Sequence, residues 1–224
     1  MTQLGQASCR NRLLAALPPS DFDLLQGRLA LQKFAVGDVL IQTDTSTTSL
    51  YFVERGIVSL VAQASDGEQA EIGLVGCEGL VGIPLLLGCD QAPYDGRVQN
   101  AGSAWVMSAS SFREILPQSS ALGERLLRYV QTVTAQMAGT ALANARYTLA
   151  ARLARWLLMC HDRAEGDDLS TTHRFLSLML GVNRTGVSEA LTALERAGVI
   201  ATKRGTITIR DREKLIAQAG ACYG

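Results

Sequence analysis

Between residues 172 and 210 two short amphipathic helical patterns meet at one glycine, and a hairpin with a basic tip follows at once. No other stretch of the chain restricts the fold as much. In the first pattern Phe175, Leu176, Met179 and Leu180 fall at i, i+1, i+4 and i+5, which places them on one helical face. Gly181, four residues past the small Ser177, supplies the positive φ that a tight turn between helices needs. Asn183 is placed to cap a second helix, whose buried stripe is Val187, Leu191 and Leu194 at i, i+4 and i+7. Arg184, Thr185, Ser188, Glu189 and Thr192 are left pointing outward. Behind them Val199-Ile200-Ala201-Thr202 and Thr206-Ile207-Thr208-Ile209 flank a Lys203-Arg204-Gly205 tip, with Ile207 and Ile209 alternating inward.

A helix whose exposed N-terminal face is short, polar and able to hydrogen-bond suits the major groove of DNA. Arg184 is the candidate for a bidentate contact with a guanine edge, worth ~1–3 kcal/mol of discrimination. Lys203 and Arg204 lie where a wing would meet phosphate, adding affinity without sequence information. Glu189 either accepts from a cytosine amine or pairs with Arg184 or Arg196. An ordinary αα-hairpin in a helical bundle would explain the two amphipathic patterns. It does not explain the glycine, the cap and the hairpin together.

Charge is distributed to match. The 224 residues sum to a net charge of zero, which argues against a uniformly basic coat. Residues 1–145, however, hold 9 Lys and Arg against 13 Asp and Glu, whereas residues 146–224 hold 12 against 8. That asymmetry fits one end meeting phosphate, and it also fits a solvated face. At 47% hydrophobic composition the chain can build one large core or two small ones. No apolar run reaches the ~20 residues that span a bilayer, and the N-terminus lacks a basic segment leading into an apolar one, so a cytoplasmic protein without a membrane partner is expected. Cys9, Cys77, Cys89, Cys160 and Cys222 are scattered and show no C-x-x-C spacing. Neither a disulfide framework nor a zinc site is expected from them.

Taken in order, residues 11–26 read as a helical lead-in, with Leu13, Leu14 and Leu17 apolar, Pro18-Pro19 interrupting, and Ser20 capping a second turn that carries Phe22, Leu24 and Leu25. From Lys33 the chain turns β-like: Val39-Leu40-Ile41, Leu50-Tyr51-Phe52-Val53, residues 57–62, 70–75 and 104–107. Gly37-Asp38, Arg55-Gly56, Asp66-Gly67 and Gly76 separate these runs as turns, which predicts a small all-β barrel or sandwich. Asp66-Gly67 marks the clearest hairpin. Residues 79–88 break the pattern; Pro84 suits the first turn of a short helix carrying Leu85, Leu86 and Leu87 into the barrel, either as the lining of a ligand pocket or as a plug completing the core.

Residues 119–145 form a long helix with two adjacent stripes. One is Leu122, Leu126, Tyr129, Val133, Gln136, Thr140 and Ala143; the other is Leu127, Val130, Thr134, Met137 and Ala141. Two stripes need two burial partners, the barrel for one and a symmetry-related helix for the other, although a monomeric core helix is also compatible. Gln136 and Thr140 would weaken the seam while fixing its register. A second amphipathic helix covers residues 147–160, with Asn144-Ala145-Arg146 as the candidate hinge and Glu165-Gly166-Asp167-Asp168 as its end.

A barrel, a long helix and a winged helix-turn-helix in this order resemble the CRP/FNR family of bacterial transcription regulators. The resemblance implies an α+β chain: a jelly-roll, cyclic-nucleotide-binding-like β-barrel with N-terminal helices in residues 1–118, a dimerisation helix in 119–145, and a winged helix-turn-helix in 146–224. It implies a sequence-specific DNA-binding regulator rather than an enzyme, acting as a homodimer on a pseudo-palindrome, with double-stranded DNA, its own second copy and RNA polymerase as partners. Arg184 falls on the family's base-reading arginine and Thr172 on a phosphate-contacting threonine. Thr172, His173, Asn183, Arg184, Thr185, Ser188, Glu189, Thr192, Lys203 and Arg204 make up the implied DNA-binding set. Thr185 replaces the usual glutamate, so the usual half-site is not implied.

Where the family binds cyclic AMP, it carries Gly-Glu-Leu in the short barrel helix and Arg-Ser shortly after. Here Gly82-Ile83-Pro84 stands in the first place and Tyr94-Asp95 in the second. An anion would meet Asp95 instead of an arginine, and Pro84 lacks a backbone donor; Arg97 would restore the phosphate contact only if the loop aligns differently. Met137 and Ala138 stand about where adenine would be read. Cyclic AMP is therefore disfavoured and no cofactor is expected, the pocket set being Leu74, Gly82, Ile83, Pro84, Arg97 and Met137 for some more apolar effector or none. The alternatives are a cyclic-nucleotide-dependent regulator, or a ligand sensor whose helical C-terminus binds a protein. Iron–sulfur sensing finds only Cys9 near the N-terminus. Haem sensing finds His161 and His173 outside the barrel and leaves Cys77 as a ligand. Cys77 and Cys89 either sense redox or are buried structural thiols.

Overall fold

The structure, a computed structural model, describes residues 5–223. The chain divides into two compact units: Met1–Leu60 with Val75–Ala135, and Val61–Leu74 with Gln136–Gly224.

In the first unit Asn11 caps α1 (Arg12–Ala15), its side chain accepting from the Leu14 N–H. For α2 (Pro19–Gln26) the cap position falls to Pro18, and Pro19 occupies the first turn with its φ already set. Ser20 therefore lies inside the helix, not at its cap. Along the chain then come β1 (Ala30–Phe34), β2 (Val39–Ile41), β3 (Ser49–Gln63), β4 (Gln69–Val75), β5 (Leu80–Val81), α3 (Ile83–Leu86), β6 (Asp95–Ser108), α4 (Ala109–Ile115) and α5 (Ser120–Arg146), of which β3 past Leu60, β4 up to Leu74 and α5 past Ala135 belong to the second unit. The sheet runs β1-β6-β3-β4, with β2 on β6 and β5 on β3. β1 pairs antiparallel with β6 from Ala30↔Val106 to Phe34↔Gly102.

The turn expected at Arg55-Gly56 does not exist, and β3 passes straight through it. Gly56 sits at φ 89°, where a β-carbon would stand 2.5 Å from the Asn100 carbonyl oxygen, so the glycine permits a close strand crossing. Asp66-Gly67 does turn the chain, closed by Ala64 N–H to the Glu68 oxygen at 2.8 Å. In α3 Pro84 lies in the first turn as expected, but only Leu85 of the three leucines is buried; Leu87 is 56% exposed because the helix has already ended.

Along α5 the first stripe is the buried one: Leu122, Leu126, Tyr129, Val133 and Ala143 are all enclosed. The second stripe stays open, with Leu127 56% exposed, Thr134 and Ala141 exposed, and Val130 and Met137 half-buried. The helix continues through Asn144 and Ala145 to Arg146, so the break falls at Tyr147-Thr148 instead of the expected hinge. Thr148 fixes it there by capping α6 (Leu149–His161) through the Ala151 N–H. Among the described residues no helix is long and apolar enough to cross a membrane.

The second unit continues with β7 (Asp168–Ser170), α7 (His173–Leu180), α8 (Arg184–Arg196), β8 (Ile200–Lys203), β9 (Thr206–Ile209) and α9 (Arg212–Ala219). The three strands form one antiparallel sheet in the order β7-β9-β8. Leu153, Leu157, Leu176, Val187, Leu191, Leu194 and Leu215 are each at most 2% exposed, so each contributes about 1.5–3 kcal/mol of burial. The tip of the β3–β4 hairpin belongs to this unit. Trp156 Nε1 donates to Glu71 Oε1 at 2.9 Å, and the Gln136 amide accepts from the Leu74 N–H at 2.5 Å while donating to its carbonyl at 3.2 Å. Gln136 thus completes the edge of β4.

Candidate nucleic-acid interface

Three local features aim the interface. The Thr172 hydroxyl oxygen accepts from the Phe175 N–H at 3.2 Å and starts α7. Gly181 takes φ 60°, ψ 43°, the left-handed conformation that turns the chain between helices. Asn183 Oδ1 accepts from the Gly186 N–H at 2.8 Å and starts α8. Because Thr172 uses only its oxygen as cap, its hydroxyl proton remains available to a phosphate.

On α8, Arg184, Thr185, Glu189 and Thr192 are exposed and Ser188 is half-buried. Ser188 Oγ donates to the Arg184 carbonyl at 3.0 Å and Thr192 Oγ1 to the Ser188 carbonyl at 2.8 Å. Their protons are turned back onto the helix, so the outer face offers acceptor lone pairs, the Thr192 methyl and the Arg184 guanidinium. Among the described residues Arg184 and Glu189 make no ion pair, which removes the reading of Glu189 as a partner of Arg184 or Arg196. The arginine lies beyond the cap at the start of the helix, and Glu189 stands alone on an exposed turn.

Thr172, His173, Lys203 and Arg204 come together, lining with Thr171, Thr202, Gly205 and Thr206 a cleft of about 480 Å³ between the wing and the start of α7. The wing is anchored twice. The Thr171 N–H donates to the Gly205 carbonyl at 3.0 Å, and Glu195 Oε1 accepts from the Thr202 N–H at 2.7 Å and its hydroxyl at 2.6 Å. The Thr202 hydroxyl and N–H hold the Glu195 carboxyl below the usual carboxylate range. Thr171, Glu195 and Thr202 escaped the sequence reading. Thr202 lies two residues from the buried Ile200 on β8, and that alternation was the available signal for it. Thr171 Oγ1 is buried in this cleft with no partner among the described residues.

The residues expected at an effector pocket divide between the units: Gly82, Ile83, Pro84 and Arg97 belong to the first, Leu74 and Met137 to the second. Asp95 is buried, accepts from the Thr43 N–H at 2.8 Å, and takes both Arg97 Nη2 (2.8 Å) and Nε (3.1 Å) on one oxygen. Burial alone would push the Asp95 carboxyl up; the Thr43 N–H and the Arg97 guanidinium outweigh it and hold the carboxyl low. Arg97 is thereby committed to an internal acid. Cys77 is half-buried and Cys89 exposed, so the two are not a pair of buried thiols; Cys89 sits in the turn after α3. Burial, with the Glu54 charge beside it, pushes the Cys9 thiol up to about 12, which leaves it a poor nucleophile or ligand.

An exposed, capped helix beside a basic cleft under a wing defines a DNA-binding regulator. Residues 31–119 match the cyclic nucleotide-binding domain and residues 151–218 the Crp-like helix-turn-helix domain. The chain belongs to the CRP/FNR family of transcription regulators, which are not enzymes. Among solved structures it is similar in fold to FixK2 from Bradyrhizobium japonicum, with a TM-score of 0.74 at 19% identity over 86% of this chain and 98% of that one. A CRP-family transcriptional regulator from Thermus thermophilus gives 0.71 at 21% over 85% and 97%. The c-di-GMP responsive global regulator CLP of Xanthomonas campestris gives 0.68 at 15% over 86% and 99%. No curated protein sequence matches the chain.

Proposed function

We propose that this regulator acts in the cytoplasm as a homodimer, reading a pseudo-palindromic site through α8 of each copy and docking on phosphate through the cleft beneath each wing. The carrying observation is that Arg184, Lys203 and Arg204 are all exposed and meet no acid among the described residues. Dimerisation is supported by the open second stripe of α5, which a second copy of the same helix would cover, setting half-sites about one helical turn (~34 Å) apart. RNA polymerase is the expected downstream partner. The barrel of this regulator does not answer to cyclic AMP, since Arg97, the arginine that would have to restore the phosphate contact, is held by Asp95.

Selection of DNA from a random library by the purified protein, with and without cyclic AMP, tests the site reading, the dimer and the effector reading. A two-fold symmetric consensus, bound equally well in both arms, is the expected result. An asymmetric half-site alone would remove the dimer, and strong cyclic-AMP dependence would overturn the pocket reading.

A further inference from the structure

We infer that His173 makes docking on DNA sensitive to pH, offering a second proton donor to the phosphate cleft only in its protonated form; this rests on the DNA-binding reading above. The Ser188 hydroxyl oxygen lies 3.0 Å from the Arg184 carbonyl and 3.1 Å from His173 Nδ1. A hydroxyl has one proton. The carbonyl has none to give, so the serine proton goes to it, and the Nδ1 contact is then a bond that the imidazole donates. With Nδ1 carrying the hydrogen, Nε2 of the neutral ring is bare. A bare nitrogen meets a phosphate oxygen lone pair to lone pair; a protonated one donates to it.

The surroundings make the ring responsive to what fills the cleft. Lys203 and Arg204 come from the wing and line the same cleft, and the α7 N-terminus adds its own partial positive charge. Glu195, on α8, lies close enough that a charged His173 adds to what holds its carboxyl low. A phosphate entering the cleft meets the wing cations and the His173 ring together. The protonated ring adds an Nε2–H donor that the neutral ring lacks, so affinity falls as pH rises. The other histidine, His161, is engaged by Arg212 and Asp167 and lies outside this cleft.

The test measures affinity of the intact protein for its selected duplex at about pH 6 and about pH 8 over a salt series, with His173→Gln alongside. Glutamine keeps a hydrogen-bonding side chain that does not titrate. The wild type should bind about tenfold tighter at the lower pH, as one charge-assisted hydrogen bond allows. Its log–log salt slope should be steeper there by about 0.9 per protomer, because one more phosphate is neutralised. His173→Gln should show the same affinity and slope at both. Nitrogen shifts of the ring in the free protein at high pH should report the Nδ1–H tautomer. Equal wild-type slopes at the two pH values, an unchanged pH dependence in His173→Gln, or an Nε2–H tautomer would each overturn the inference. Binding to no duplex at either pH would instead remove the DNA-binding reading, and this inference with it.

Discussion

In the winged helix-turn-helix Arg184, Lys203 and Arg204 stand exposed without an acid beside them among the described residues, whereas in the first unit Asp95, Arg97, Glu54 and Asn11 are paired internally. Asp95 holds Arg97 and the Thr43 N–H. Glu54 accepts from the Arg10 and Asn11 N–H groups, and the Asn11 amide donates to the Val53 and Gly79 carbonyls. Buried polar groups left unpaired cost free energy, so an anion that took Arg97 from Asp95 would have to offset the loss of that pairing. An exposed cation costs little while solvated and gains from phosphate when it arrives. The one unit is arranged for an external polyanion; the other has supplied its own counter-charges.

The largest effect should come from the helix that would bring two reading surfaces to one duplex. Replacing Leu127 and Val130 together with glutamate puts charge on the open stripe of α5 and leaves the buried stripe intact. Sedimentation should then report a monomer with unchanged helical content, and affinity for the palindromic site should drop about a hundredfold or more as two-site binding is lost. A mutant that stays dimeric would show that the second stripe is a solvated face. Next in size, Arg184→Ala should weaken specific binding about 10- to 100-fold, corresponding to ~1–3 kcal/mol, while binding to unrelated DNA changes far less. Equal losses on both would make Arg184 one more phosphate contact.

The barrel side of the contrast breaks differently. Asp95→Ser should destabilise the protein by about 1–3 kcal/mol, since the Thr43 N–H and the guanidinium lose their acceptor. It should also release Arg97, so that inorganic phosphate or cyclic AMP gains measurable binding by calorimetry. If no anion binds once the acid is gone, competition from Asp95 was not the limiting factor and the site lacks the remaining donors. The Asp95 carboxyl is held low in the folded protein. Its contribution is thus fully present above the usual carboxylate range near 4 and lost as pH falls through the depressed value, so wild type should lose more stability than Asp95→Ser below about pH 4.

What could be read from the sequence follows the same division. α8 was legible because its signals are local: the αL glycine, the Asn183 cap and the i, i+4, i+7 stripe lie within a few turns of one another. The buried stripe of α5 was legible for the same reason. β6 was read only at residues 104–107 because Gln99, Asn100 and Gly102 look like a loop. They are strand because β1 and β3 pair with them, and Gln99 finds Ser59 across the sheet at 3.1 Å. β1 is mostly exposed and β7 is three residues long; neither has a pattern of its own, and both exist through register with a neighbour. Glu195 and Thr202 are seven residues apart across a turn, a contact that only the packed wing creates. The Asp95–Arg97 pair, by contrast, was within reach: residues two apart on a strand share a face.

The smallest predicted effect isolates the wing. In Glu195→Gln a neutral amide oxygen replaces the carboxylate that accepts two bonds from Thr202, and the loss should be about 1 kcal/mol or less because the site is open to solvent. A looser wing should lower affinity for any DNA about twofold. The pH behaviour is the sharper readout. The Thr202 bonds hold the Glu195 carboxyl low, so the staple is intact everywhere above the usual carboxylate range and is lost only as pH falls through the depressed value. Between about pH 6 and pH 8 the staple does not change its charge. Glu195→Gln should therefore weaken binding at both values while the preference for the lower pH persists. If that preference disappears instead, His173 acts only while the Glu195 staple holds the wing beside it, and the exposed cations owe their responsiveness to how the wing is held.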